Sequence, residues 1–186
     1  MRNETARELR RQRQIIDRLQ RRLAMSELPG KVKASETDTD KRTVRLVLGT
    51  SKEGTEILSP PMRWQESSVG RLRIHSEPDD QEQMIMRSAS GTVGPSSLAV
   101  PGSYDTNHEA PSKETDISVL DRGDGARVEL GGGKIRFIGT HEFEGPVKIN
   151  GDVNTFGALN NNGVNVSSTH VHGGVSTGGA DTAEPH

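Results

Sequence analysis

The chain has 186 residues with 24 basic and 26 acidic side chains, a net charge of −2, and only 3% aromatic residues. This length allows one or two domains, but so few large apolar side chains would give a single chain a poor core, so we expect burial between subunits to stabilise it. The absence of cysteine excludes a disulfide framework and thiolate metal sites, and no apolar run approaches the roughly 20 residues of a transmembrane helix.

Residues 1–27 are predicted to form a basic N-terminal helix. Residues 1–25 contain eight arginines against three acidic residues, a net charge of +5 that leaves −7 for the rest of the chain. Helix-favouring residues dominate, and neither Gly nor Pro occurs before Pro29. Apolar residues recur at a spacing of seven, with one more in between: Leu9, Ile16, Leu23 and Leu19. The segment fits three interpretations, namely a short oligomerising helix, a basic arm that binds nucleic acid or another partner, and a solvated helix packed on its own domain.

Residues 28–100 alternate apolar and polar side chains, which predicts a small β-barrel. The runs Lys31–Ala34 and Thr43–Leu48 flank an acidic turn, as in a hairpin. Further short strands, each ended by a turn, are expected at Ile57–Leu58, Gln83–Ser88 and Ser97–Val100. Strands of this length and spacing are typical of an oligonucleotide/oligosaccharide-binding (OB) fold. Nucleic-acid binding on such a barrel needs interleaved basic and aromatic residues, and Trp64 and Tyr104 are the only aromatic candidates, so a structural barrel is favoured.

Residues 101–116 are rich in Pro, Ser, Asp and Asn and are predicted to be a linker. Strand-like alternation resumes in residues 117–157, where each strand has one or two apolar side chains on one face and charged ones on the other. No segment is apolar enough to close its own core, but three chains wound around a common axis would bury these side chains. The residues expected to contact symmetry mates are Val128, Leu130, Ile135, Phe137, Val147 and Ile149.

Residues 158–186 contain mostly small, neutral side chains. No Lys or Arg follows Lys148, and no acidic residue lies between Asp152 and Asp181. Gly-rich turns with one apolar residue per inward position suit a narrow β-structure wound from several chains. We therefore expect this segment to form an apex and not a globular domain.

His170 and His172 are candidate metal ligands in this apex. In an extended strand, residues i and i+2 face the same side, so a threefold axis would bring six imidazoles together. Six nitrogen donors suit an octahedral ion such as iron or nickel, whereas zinc generally prefers four ligands. The alternative is a pair of solvent-exposed histidines in a flexible tail. His75, His108 and His141 are expected to be surface residues and not ligands.

Several stretches resemble the baseplate assembly protein V family, which forms the central spike of contractile phage tails and R-type bacteriocins. Gln83–Gly91, with Ser103–Asp105 and the linker, is similar to the end of that family's barrel. Ile149–Val153 and Ser168–Val175 are similar to its tip. The resemblance covers the chain from about residue 28 onward. It implies a mainly β protein with a short N-terminal helix, an OB-fold collar, and an intertwined trimeric β-helix that ends in a metal-bound apex.

The resemblance also implies a function. A homotrimeric spike at the baseplate tip of a virion or tail-like particle would pierce the host outer membrane on sheath contraction, with baseplate hub and tail tube proteins as partners. One iron ion per trimer would be held octahedrally by His170 and His172 of each chain. Calcium and chloride are further candidate ions in the apex, and Asp152 and Asn154 offer oxygen ligands for calcium. The N-terminus lacks the apolar core of a signal peptide, so we expect synthesis in the host cytoplasm.

Two other classes of function fit the sequence less well. A metalloenzyme of the cupin type needs a carboxylate shortly after the second histidine, where Val175 and Ser176 stand, and six imidazoles would leave no open position for a substrate. No Ser/His/Asp grouping or paired-carboxylate motif is visible, so we predict that the chain is not an enzyme and has no small-molecule substrate. The alternative to a spike is an OB-fold nucleic-acid-binding protein with a basic N-terminal arm. The charge of −7 outside the helix argues against nucleic acid as a partner.

Overall fold

The structure is a computed structural model that describes residues 2–166. Its first element is helix α1 (Arg2–Ala24), which confirms the predicted N-terminal helix. The helix ends before the predicted residue 27 because the chain enters the first strand there, and the Ser26 hydroxyl donates a hydrogen bond to the Leu23 carbonyl at 2.7 Å. In the described part of the chain, no helix is long and apolar enough to cross a membrane.

A seven-stranded sheet follows and curls into a half-barrel, so the protein is mainly β as predicted. The first nine strands are, in chain order, β1 (Glu27–Val32), β2 (Thr43–Val44), β3 (Leu46–Thr50), β4 (Glu56–Leu58), β5 (Met62–Trp64), β6 (Ser68–Val69), β7 (Arg73–Ile74), β8 (Gln83–Arg87) and β9 (Leu98–Pro101). Seven of them form this sheet in the order β2-β5-β9-β8-β1-β3-β4, and β5 and β9 are the one parallel pair among them. The small hairpin β6–β7 is a separate sheet.

The half-barrel encloses the only hydrophobic core within residues 2–166. Its side chains alternate with less buried ones along the strands, as Met84 and Met86 do in β8. Unbranched methionine fills irregular gaps, which suits a small core with few aromatics. The fully enclosed residues are Val32, Val44, Leu46, Met62, Trp64, Met84, Met86 and Ala99.

Most strands of the half-barrel match the sequence-based predictions. The predicted hairpin is confirmed, since Lys31 lies opposite Val47 and Val32 opposite Leu46. The run predicted to reach Ala34 ends at Val32, because a 3-10 turn over Ala34–Glu36 follows. Strand β5 was not predicted, because it has three residues and comes directly after two prolines.

A second sheet, an antiparallel meander, follows the segment that was predicted to be a linker. It consists of β10 (Ile117–Asp121), β11 (Arg127–Gly131) and β12 (Lys134–Ile138), with β11 in the centre. Gly132 and Gly133 join β11 to β12 with φ angles of 56° and 71°, as a tight hairpin turn requires.

The chain divides into two compact units after Ile138. In the second unit, described up to residue 166, the one pair of strands is the hairpin β13 (Asn160–Asn161) and β14 (Val164–Asn165). The strand predicted over Val147–Val153 is not formed within the single chain. The predicted ranges 101–116, 117–157 and 158–186 for linker, trimeric β-helix and apex stay predictions.

Candidate functional site

The meander β10–β12 has one apolar face that nothing in the described chain covers. Its register places Leu120, Val128 and Phe137 in one row across the three strands. Leu130 and Ile135 form the next row on the same face, beside Ser118. All of these apolar residues except Leu120 were predicted from the sequence to contact symmetry mates. Val128 is half-buried, while Leu120, Leu130, Ile135 and Phe137 are exposed.

The opposite face of the meander holds the charged side chains, together with Ile117, Val119 and Ile138. Arg127 donates hydrogen bonds to Glu129 Oε1 at 2.8 Å, to Asp121 Oδ2 at 3.1 Å and to the Pro111 carbonyl at 2.8 Å. Glu129 Oε2 accepts a further bond from Arg136 at 2.7 Å. The Pro111 contact also ties the preceding segment to the sheet. Four charged side chains of this face thus pair with one another, whereas the apolar side chains of the other face have no cover within the described residues.

A repeat of six residues begins at the end of this meander. Each repeat starts with a glycine of positive φ, and the side chains two and four positions later share one side of an extended strand. The glycine φ angles are 71°, 109°, 111°, 138°, 109° and 80° at Gly133, Gly139, Gly145, Gly151, Gly157 and Gly163.

Apolar side chains occupy most of the second and fourth positions after these glycines. They are between 45% and 75% exposed, although a soluble chain normally buries a regular apolar row. They are Ile135, Phe137, Phe143, Val147, Ile149, Val153 and Leu159. Sequence reasoning identified four of these residues from their alternation but missed the repeat, which the glycine spacing alone could have revealed.

The predicted metal ligands His170 and His172 lie outside the described residues. Asp152 and Asn154, the candidate calcium ligands, are both exposed. Within residues 2–166, no group of three or more His, Cys, Asp or Glu side chains is close enough together to hold a metal ion.

Glu66 connects three parts of the first unit, a role that sequence reasoning did not assign to it. Its Oε1 accepts hydrogen bonds from Trp64 Nε1 and Arg42 Nη1, both at 3.0 Å, and lies 2.7 Å from His75 Nδ1. The Ser76 N–H donates to Oε2 at 3.2 Å. The hydrogen bond with His75, followed by those from Ser76 and Trp64, lowers the pKa of Glu66 below its ordinary value. His75, predicted to be a surface residue, is half exposed and stacks on Trp64.

Asp105 fastens the segment after β9 to the half-barrel. Lys31 Nζ lies 2.8 Å from its Oδ2, and the His108 and Asn107 N–H groups donate to its Oδ1 at 3.0 and 2.8 Å. The Lys31 contact, with these two backbone donors, lowers the pKa of Asp105 to about 2. The start of the predicted linker is therefore held in place by a carboxylate.

No protein-family model matches the chain, and a search of curated proteins found no match to it.

Proposed function

We propose that the chain is the central spike of a contractile tail or tail-like particle. It acts as a homotrimer at the baseplate tip, in a virion or a bacteriocin particle, and pierces the host outer membrane when the sheath contracts. The role is mechanical and involves no catalysis. One observation carries the proposal, namely the six-residue repeat of positive-φ glycines followed by exposed apolar side chains.

The repeat supports winding of three chains around one axis. Glycine adopts positive φ without steric cost, so the chain can turn a corner at the start of each repeat. The constant spacing of six residues leaves room for a short strand of the same length between one corner and the next. Each strand has two side chains on one face, which are too few to form a core against the same chain. Three such strands, one from each chain, enclose their apolar side chains between them.

The meander β10–β12 supports the same arrangement. On one face, charged side chains pair with one another around Arg127. On the other face, the apolar residues Ile135 and Phe137 also belong to the first six-residue repeat. A threefold axis on the apolar side would cover this face in all three chains at once. The half-barrel before it, with its own core, fits the OB-fold collar that would be held by baseplate hub and tail tube proteins.

The composition of the far end fits penetration of a membrane. Strands paired between chains have no long free edges and resist axial load through their hydrogen bonds. Residues 153–180 contain no charged side chain other than histidine, which lowers the cost of entering a lipid bilayer. The small side chains there allow the spike to taper.

The proposed apex includes one iron ion per trimer, with His170 and His172 of each chain as its six ligands. The donor set suits this ion because neutral imidazole binds iron and six donors complete an octahedron. Such an ion would join the three chain ends where no apolar core remains. Calcium near Asp152 and Asn154, and chloride, stay candidate ions in the same region.

The alternative function is an OB-fold nucleic-acid-binding protein, and the exposed basic helix α1 is the observation in its favour. Trp64 argues against it, because the ring is buried in the core and its Nε1 donates to Glu66. A buried indole offers no face for base stacking. Tyr104 is exposed, but one ring is too few for a stacking platform.

The proposal is tested on particles from cells that make this chain. An antibody against an epitope inserted at Gly54, an exposed turn glycine, should label the baseplate end of the tails in electron micrographs. Tails assembled without the chain should fail to permeabilise target cells. Antibody label that is absent from tails, or tails that permeabilise cells equally well without the chain, would contradict the proposal.

A further inference from the structure

Apolar side chains form a stripe along α1 that the rest of the described chain leaves uncovered. Leu9, Ile16, Leu19 and Leu23 are 61%, 52%, 57% and 75% exposed. In heptad notation, Leu9, Ile16 and Leu23 occupy the a positions and Leu19 a d position. Ile15, at a g position and 47% exposed, widens the stripe. Most of the stability of a helix in a protein comes from packing of its apolar face, so an apolar stripe normally marks a packing surface.

The C-terminal end of α1 is fixed on the half-barrel. Arg22 Nε donates to the Ser90 carbonyl at 2.8 Å, and the Ser88 N–H donates to the Ser26 carbonyl at 2.7 Å. Gly91 has a φ of 65°, and a Cβ there would meet the Arg22 carbonyl oxygen at 2.2 Å. The loop after β8 thus holds the last turn of the helix, while the stripe before it stays exposed.

We infer that α1 packs along this stripe against α1 of two other copies, as a parallel three-helix bundle at the N-terminal end of the trimer. The inference rests on the proposed function, because a threefold axis through the β-structure makes the three helices start in equivalent places and run in the same direction. The wide g-a-d stripe suits three helices, since flanking positions are partly buried in such a bundle.

The charges of α1 also fit packing against the same helix of two other copies. In a parallel bundle, a g residue of one helix meets the following e residue of its neighbour. Glu8 is at g and Arg13 at the following e, which gives an attractive pair between chains. Most of the other arginines are at the outward b, c and f positions, where like charges are spread over the surface of the bundle: Arg7, Arg10, Arg11, Arg18 and Arg21.

Because the chain contains no cysteine, disulfide trapping on the full-length protein gives a clean test. Leu9→Cys places a thiol on the stripe, and Gln14→Cys places one at an outward f position as the matched control. A parallel bundle brings the Leu9 positions of neighbouring chains within disulfide distance. We expect Leu9→Cys to form linked pairs about ten times faster than Gln14→Cys, through its higher effective concentration. One disulfide joins two of the three chains in a bundle and leaves the third thiol without a partner, so linked pairs should level off at about two thirds of the protein.

Charge reversal tests the pairing of Glu8 with Arg13. Glu8→Arg should slow trapping through Leu9→Cys, and the added Arg13→Glu change should restore the rate. Equal trapping of Leu9→Cys and Gln14→Cys, in a protein that light scattering shows to be a trimer, would overturn the bundle and leave the proposed spike intact. Trapping of Leu9→Cys mainly with Leu23→Cys in mixed samples would overturn the parallel arrangement. A monomer in solution would contradict the bundle and the spike together.

Discussion

Leu130 and Ile135 lie directly opposite each other on β11 and β12, and they are 46% and 61% exposed. Cross-strand apolar pairs stabilise a sheet when they are covered, and full burial of such a side chain is worth roughly 1.5–3 kcal/mol. On the other face of the same strands, Arg127 donates a hydrogen bond to Glu129. This asymmetry supports a partner surface on the apolar side, and three copies of the chain would supply one.

We therefore expect Ile135→Ser to destabilise the trimer. If Ile135 is covered by neighbouring chains, its loss removes buried surface three times per trimer, at a cost of about 2–5 kcal/mol for each site. The measurement is the oligomeric state by light scattering as the protein is diluted. Ile57→Ser is the matched control, because Ile57 is an isoleucine on a strand of the half-barrel and is 51% exposed. Equal behaviour of the two variants would show that the meander face is not an interface.

The glycine repeat gives a second prediction. Gly151 has a φ of 138°, and a Cβ there would meet nothing within 4 Å in the single chain. Gly151→Ala should still destabilise the protein by about 1–3 kcal/mol, because an L residue is strained at that φ. Thermal unfolding measures the effect.

Gly94→Ala is the control for this backbone effect. Gly94 also has open space around its Cβ position, and its φ lies outside the range that favours glycine. This change should alter the melting temperature little. If the Gly151→Ala variant had the same melting temperature as the wild type, the assignment of a strained corner to Gly151 would be contradicted.

Local sequence patterns predicted most strands of the first unit. The structure of the second unit could not be predicted from such patterns. Two-residue alternation around Val32 and Met84 marks a sheet that buries its own face, so the strands could be read from the sequence. Val147 and Ile149 show the same alternation, but within residues 2–166 no strand pairs with them. The proposed pairing between chains would leave no record in the hydrogen bonds of a single chain. Glu66 was missed because its partners Arg42 and His75 are distant in sequence.

His170 and His172 provide a third prediction. Changing both to Ala should remove one equivalent of iron per three chains, because the six imidazoles proposed to bind the ion would be gone. The half-barrel should keep its melting transition, since the ion would join only the chain ends. Elemental analysis of the wild type and the double variant measures the loss. A wild type without metal, or a variant with its full metal content, would contradict the site.

Glu66 gives a prediction for pH dependence. The pKa of Glu66 is lowered in the folded chain, first by His75, so its ionised form stabilises the fold above the pKa of the unfolded chain. That stabilisation is lost as pH falls through the lowered folded value. Glu66→Gln should destabilise the half-barrel by on the order of 1 kcal/mol at neutral pH, and the gap to wild type should shrink in acid. A gap that stays constant from neutral to acidic pH would contradict this role.

Native mass spectrometry of the purified full-length chain tests the central claim most directly. The account predicts a species with the mass of three chains of 20.2 kDa each, with one bound iron ion, at micromolar concentration. Acid treatment should release the ion as the imidazoles become protonated. A spectrum dominated by the mass of a single chain would contradict the trimeric spike.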